Sequence, residues 1–237
     1  MRVLIPFAAD RPKTRLDPIL SPDEREAFAA AMLADVLRAV RLAGREPVVL
    51  STAPLEGEDG SPEGAGTSGF APTALSEELA VDLGEELASA QVVVDERPLT
   101  AAVNAALRDR KWDDGAMGVV MSDLPLVTPR VLSRFFAADG DLVVAPGRGG
   151  GTNALVVRDS RFRVDYHGTS YLDHLRVADR LGATVREFDS HRLSTDVDEP
   201  ADFQEVLSLS DGVARAWLRE AGFELDASGG RVGVRRG

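Results

Sequence analysis

Residues 3–16 read Val3-Leu4-Ile5-Pro6-Phe7-Ala8-Ala9-Asp10-Arg11-Pro12-Lys13-Thr14-Arg15-Leu16. The first five form an apolar run of strand length. The rest is a loop with three cations, Arg11, Lys13 and Arg15. Ser21-Pro22-Asp23-Glu24 then opens a helix with a capping box and Pro at its first position. Ala27, Phe28, Ala31, Leu33, Val36, Leu37 and Val40 give that helix an apolar face, and Gly44 stands where it should stop. Glu46 to Ser51 reads as a second strand. Strand, helix, strand implies a right-handed parallel crossover, which sets an α/β fold.

The alternation continues outward from this unit. Strands are expected at 91–95, 117–122, 141–145, 153–157 and 184–188. Helices are expected at 99–110, 128–136, 170–181 and 201–209, with one more ending at Ala221. This pattern predicts a single-domain, Rossmann-like, mainly parallel mixed sheet with helices on both faces. Glu56 to Pro72 is rich in Gly, Glu, Ser and Pro and has almost nothing to bury, so a surface insertion is expected there. The domain is expected to span 1–210. Residues 211–237 are expected to add a helix and either a small hairpin, around Ser228-Gly229-Gly230, or a loose tail.

Bulk properties bound the function. A chain of 237 residues with 44% hydrophobic content supports one large core, or at most two small ones. With no cysteine there is no disulfide, thiolate metal site or cysteine nucleophile. No apolar run approaches the ~20 residues of a membrane span. The start reads as a core strand and not as a signal peptide, so the cytoplasm is the expected compartment. The net charge is −12, and only 2 lysines stand against 25 arginines. Such a surface fits adaptation to high salt, or the codon bias of a GC-rich genome. Either way it disfavours nucleic-acid binding, which needs basic patches. Against that background Lys13 stands out, because a compact ammonium is kept where the chain otherwise uses Arg.

The chemistry-bearing residues all follow expected strands, where ligands of open α/β sheets bind. Lys13, Arg11 and Arg15 can neutralise a triphosphate; a solvated basic loop is the other reading. There is no G-x-x-x-x-G-K-[ST] and no G-x-G-x-x-G after the first strand. Asp123 can ligate Mg²⁺, which takes one or two carboxylates plus phosphate oxygens and water, or it can cap the turn before Pro125. Asp196 and Asp198 are two apart and face one side if extended, so they can share a cation or cap the helix after Pro200. Gly149-Gly150-Gly151 lets backbone N–H groups approach an anion, with Thr152 and Asn153 beside it. The helix start at Ser170 offers free N–H groups for a second anion, or is an ordinary capped end. His174 is expected to be a packed, hydrogen-bonded histidine. No Ser-His-Asp or Cys-His set is present. That absence fits transfer between phosphates, where the nucleophile is already an anion and catalysis is mainly charge neutralisation and alignment.

Several stretches together resemble the 2-phospho-L-lactate guanylyltransferase family of deazaflavin coenzyme F-420 biosynthesis. They are Ile5-Pro6-Phe7 with Pro12 to Leu16, Leu99 to Leu107, Ser122 to Pro125, and Ala145-Pro146 with Gly150 to Leu155. Gly168 to His174 and Asp196 to Asp202 complete the set. The resemblance implies a nucleotide-diphospho-sugar transferase-like fold. It implies GTP and 2-phospho-L-lactate giving lactyl-2-diphospho-5'-guanosine and pyrophosphate, with Mg²⁺, in a homodimer. By the family pattern Lys13 and Arg15 bind phosphate, and Asp123, Asp196 and Asp198 hold metal. Thr152, Gly168 and Ser170 hold the phosphorylated acid, and Asn104 reads guanine or ribose. Related members use phosphoenolpyruvate; 3-phosphoglycerate and sugar phosphates are further acceptors, and a GTP sensor without turnover is the non-enzymatic alternative. The insertion at 56–72, the tail after 211 and Ala8-Ala9-Asp10 in place of a more basic run depart from the family pattern.

Overall fold

The computed structural model describes residues 1–10, 12–55, 74–109, 115–228, 230 and 232–237. The insertion expected at 56–72 and Arg11 lie outside the described residues.

Strand β1 (Arg2–Phe7) lies in a seven-stranded sheet with β2 (Glu46–Ser51), β3 (Gln91–Val94), β4 (Met117–Val120), β5 (Leu142–Pro146), β6 (Thr152–Val157) and β7 (Val185–Glu187). Their order is β3-β2-β1-β4-β6-β5-β7. Neighbouring strands are parallel except at β6, which runs antiparallel to both β4 and β5. The reversal follows from the link. Residues 147–151 are too few for the crossover that a parallel pair requires, so β5 and β6 form a hairpin.

The sheet is covered on both faces. Val3, Ile5 and Phe7 of β1 point into one core, while Leu4 points into the other. This alternation along the apolar run from Val3 to Phe7 is the mark of a sheet buried on both sides. The first face carries α1 (Pro22–Leu42), α2 (Glu77–Ala88) and α4 (Pro129–Ala137), and the second carries α3 (Leu99–Arg108) and α5 (Ser170–Leu181). Helix α1 begins with the expected capping box: Glu24 N–H donates to Ser21 Oγ at 3.3 Å and Ser21 N–H donates to Glu24 Oε2 at 2.8 Å. Helix α2 was not expected. Ser76 caps it, Leu79 and Leu83 bury against the core, and Glu86 takes two hydrogen bonds from Arg41 of α1 at 2.8 and 3.1 Å.

After the short helix α6 (His191–Ser194) come a 3-10 turn at Pro200–Asp202 and α7 (Phe203–Leu209). The C-terminal residues join the first face. In α8 (Val213–Glu220), Trp217 packs on Phe28 of α1 with ring centroids 5.2 Å apart. The hairpin of β8 (Phe223–Asp226) and β9 (Gly233–Arg236) seats Phe223 on Phe203 at 5.2 Å. Asp35, buried inside α1, accepts the Val213 and Ala214 N–H groups at 2.7 and 3.0 Å, and so closes the start of α8. A side chain at Gly212 would collide with that carboxylate, its Cβ only 2.0 Å from Asp35 Oδ1.

Because β1, β2, β3 and β4 are parallel, their carboxyl ends share one edge of the sheet. Because β6 is reversed, its amino end, Thr152 and Asn153, reaches the same edge.

Candidate functional site

Each strand delivers different chemistry to this edge. Beyond β1, Ala9 and Asp10 N–H groups donate to Thr52 Oγ1 at 3.0 and 3.4 Å, tying the loop to the end of β2. Pro12 and Leu16 are buried and pin the loop on either side of Lys13. Lys13 itself is held at φ 55° and ψ 45°, the left-handed region. It is the only non-glycine residue with positive φ among the described residues. A β-carbon there costs roughly 1–2 kcal/mol, and such strain persists where the surrounding structure demands the conformation.

The conformation aims the Lys13 ammonium between two carboxylates. Nζ donates to Asp123 Oδ2 at 2.7 Å and to Asp198 Oδ1 at 3.0 Å. Arg15 donates to the other oxygen of Asp198 at 2.9 Å. Burial pulls the Lys13 pKa down, but Asp123 and Asp198 outweigh it and the net shift is upward. Burial pushes Asp198 up, and Lys13 and Arg15 bring it below the usual carboxylate range. Lys13 and Asp198 therefore stay charged at neutral pH.

Asp123 follows β4 through Met121, whose N–H donates to Asn153 O at 2.9 Å. Its carboxylate does not cap the turn before Pro125. One oxygen meets Lys13; the other, Oδ1, is buried without a hydrogen-bond partner. Asp198 is likewise free of capping duty, because Asp202 accepts the Asp198 and Glu199 N–H groups at 3.0 and 2.9 Å. Val197 is buried between the half-buried Asp196 and Asp198, and its N–H donates to Asp123 O at 3.1 Å. The Asp196 pKa is raised by burial first, with Asp123 and Asp198 adding repulsion and the Asn153 amide, 3.1 Å away, opposing it. The three aspartates thus share one electrostatic neighbourhood. They do not enclose a common point as a three-acid metal cage among the described residues.

A cavity of about 650 Å³ opens beside this cluster. Lys13, Arg15, Asp123 and Asp198 form one wall, and the turn after β3, Asp95 to Leu99, forms another. The sequence reading missed that second wall. Its signal was an ion pair two residues apart at a strand end, Asp95 with Arg97.

Thr152 and Ser170 lie elsewhere, where the glycine loop meets the start of α5, and Gly168 is exposed two residues before Ser170. A β-carbon on Gly151 would stand 4.0 Å from Ser170 Oγ, and Tyr171 N–H donates to Gly150 O at 3.3 Å. Ser170 is not the cap of α5; that position is Thr169, and Ser170 is the first helical residue. The glycines are partly structural: a β-carbon on Gly147 would lie 2.5 Å from Asn153 Oδ1. Asn153 uses its amide to hold Leu193 O and Asp196, which joins this patch to the acidic cluster.

Asn104 departs from expectation. Its amide donates to Val164 O and accepts Val164 N–H, both at 2.9 Å, and it is buried away from the cavity walls. Apolar neighbours on α3 turn that face inward, so the side chain clamps a loop and does not face a base. His174 is fully buried, as expected.

The edge therefore offers cations and carboxylates in one cluster, a cavity of nucleotide size, and an adjoining polar patch. The fold and this arrangement define a nucleotidyltransferase. A putative nucleotide-diphospho-sugar transferase from Desulfovibrio desulfuricans G20 has the same fold, with a TM-score of 0.66 at 17% identity over 92% of this chain and 94% of that one. The fold recurs in a nucleotidyl transferase from Methanothermobacter, with a TM-score of 0.55 at 16% identity over 92% and 98% of the two chains. The chain belongs to the family described as "Guanylyl transferase CofC like", which matches residues 1–54 and 75–236. Relatives called 2-phospho-L-lactate guanylyltransferase include one from Halorubrum lacusprofundi, 49% identical over the full length of both chains. Another, from Haloterrigena turkmenica, is 52% identical over 100% of this chain and 97% of its own.

Proposed function

We propose that this enzyme transfers GMP from GTP to 2-phospho-L-lactate, giving lactyl-2-diphospho-5'-guanosine and pyrophosphate for coenzyme F-420 biosynthesis. A phosphate oxygen of the acid attacks the α-phosphorus of GTP. The bond from that phosphorus to the bridging oxygen of the β-phosphate breaks, and pyrophosphate leaves with the electron pair. No general base is needed, because the nucleophile is already an anion. The observation that carries this reading is the Lys13–Asp123–Asp198 cluster on the wall of the cavity, in a chain of this family.

Lys13 and Arg15 neutralise phosphate charge that grows on the leaving side. Such preorganised cations act in a partly water-excluded site, where they cost no reorganisation at the moment of reaction. Thr152, Gly168 and Ser170 hold the phosphorylated acid. The nucleobase and ribose occupy the cavity between Lys13 and the Asp95–Leu99 turn.

Mg²⁺ suits the residues present. The unpartnered, buried Oδ1 of Asp123 is an anionic oxygen in want of a cation, and Asp196 and Asp198 lie beside it. Asp123 would take the ion first, with Asp196 and Asp198 adding negative charge beside it and not closing a three-acid cage, and phosphate oxygens and water would complete its shell. When bound it would supply charge neutralisation at the phosphates.

The reading includes a homodimer in the cytoplasm; in the structure, no helix of the described residues is long and apolar enough to cross a membrane. Mass spectrometry of products from GTP, Mg²⁺ and each of 2-phospho-L-lactate, phosphoenolpyruvate and 3-phosphoglycerate tests the proposal. A guanylylated lactate as the main product is expected. Preferential use of either other acid would replace the acceptor, and no product from any acid would remove the reaction.

A further inference from the structure

The proposed acceptor patch contains a hydrogen-bond chain whose direction is fixed by its far end. The Asp165 backbone N–H donates to His174 Nε2 at 3.0 Å. A backbone N–H can only donate, so Nε2 must be the unprotonated nitrogen. His174 is fully buried, and burial lowers its pKa to about 4, so the ring is neutral at physiological pH. The one ring proton then sits on Nδ1, which lies 2.9 Å from Thr152 Oγ1. Nδ1 donates and Thr152 Oγ1 accepts. The hydroxyl proton of Thr152 is left pointing away from the histidine, with no second hydrogen bond at Thr152 Oγ1 among the described residues.

We propose that His174 is a positioning residue that keeps the Thr152 hydroxyl proton free to be donated toward the anionic acceptor. A free threonine hydroxyl rotates and can either donate or accept. With Nδ1–H donating to it, the Thr152 hydroxyl cannot spend its proton on the ring, and that proton stays free for another acceptor. That suits a carboxylate or phosphate oxygen, which can only accept. The ring is kept from turning by packing: its centroid lies 5.1 Å from Tyr166 and 5.9 Å from Phe162. Ser170 and His174 stand one turn apart on α5, so one helix face presents Ser170 to the glycine loop and His174 to Thr152. The inference rests on the assignment of this patch to the acid acceptor, and its test separates the two.

The tautomer is read directly from nitrogen chemical shifts of ¹⁵N-histidine-labelled full-length protein at neutral pH. Nδ1 of His174 is expected to be pyrrole-like and Nε2 pyridine-like. The reverse pattern would overturn the proposal whatever the substrate is. Kinetics then use Thr152→Val, Thr152→Ser, His174→Asn and His174→Leu. Thr152→Val is expected to raise the acceptor KM about ten- to a hundred-fold, the range of one hydrogen bond to a charged group, while the GTP KM holds. Thr152→Ser, which keeps the hydroxyl, should recover most of that loss. An unchanged acceptor KM in Thr152→Val would refute the patch assignment, with the tautomer result still standing. His174→Leu is expected to match Thr152→Val, and His174→Asn, which keeps an N–H near the Nδ1 position, to recover most of the loss. In the double variant His174→Leu/Thr152→Val, the acceptor KM should equal that of Thr152→Val alone. Additive losses, or equal loss of GTP and acceptor affinity, would make His174 a packing residue only.

Discussion

The Lys13 ammonium sits 2.7 Å from Asp123 and 3.0 Å from Asp198, joining a loop after β1 to two acids that lie 110 and 185 residues further along the chain. The backbone at Lys13 is left-handed to make that reach. Strain and the proposed triphosphate contact are therefore located at the same residue. Lys13→Gly is expected to be more stable than Lys13→Ala by roughly 1 kcal/mol in urea unfolding, since both lose the ion pairs and only glycine relieves the backbone. Equal midpoints would show that the conformation carries no strain.

Asn104 provides a check on the corrected assignment. Asn104→Ala leaves Val164 N–H and O without partners in a buried place, which costs about 1–3 kcal/mol per unsatisfied group. Thermal unfolding should shift down while the GTP KM of the folded enzyme changes less than about three-fold, well below the loss of one good hydrogen bond. A large rise in GTP KM with intact stability would return Asn104 to the nucleotide.

Two buried groups give the fold opposite pH slopes. His174 is lowered by burial from 6.5 to about 4, so the unfolded chain takes up a proton that the folded chain refuses. That contribution is full above 6.5 and is lost as pH falls toward 4, by roughly 3 kcal/mol at most. Asp35 is raised by burial from 3.8 to about 7, against the two N–H donors of α8. Its contribution is full below 3.8 and is lost as pH rises through about 7. Urea unfolding from pH 4 to 8 should therefore show Asp35→Asn losing the decline toward pH 7, and His174→Asn losing the decline toward pH 4. Unaltered slopes in both variants would place the titrating groups elsewhere.

A charge of −12 on 237 residues should be felt as self-repulsion at low ionic strength. Thermal stability and turnover are expected to rise between 0.1 and about 2 M KCl, because salt at these concentrations shortens screening to a few ångströms. A monotonic loss of both would contradict an acidic surface suited to salt.

Much of the fold was legible because the elements carry strong local signals. The β1–α1–β2 unit has a capped helix between apolar strands, and its bounds differ from expectation by a residue or so. Helix α2 was hidden by composition: Glu77, Glu78, Asp82, Glu85 and Glu86 follow an acidic, Gly-rich segment, and only Leu79 and Leu83 mark the buried stripe. The reversal of β6 was not legible from its residues, since a strand buried on both faces has no directional pattern; only the short link to β5 encodes it. At the site, Lys13 and the three aspartates could be read from charge and position. The left-handed backbone of Lys13, the inward turn of Asn104 and the Asp95–Leu99 wall are tertiary consequences with weak local marks.

The central claim is that Lys13, Asp123 and Asp198 form one working cluster at the triphosphate. Pyrophosphate release by Lys13→Ala and Asp123→Ala, measured at saturating GTP, Mg²⁺ and 2-phospho-L-lactate on folded protein, tests it most directly. The expected result is a fall of about 10²- to 10³-fold in each, the scale seen when a preorganised electrostatic partner is removed. Turnover near wild type in both variants would contradict the account.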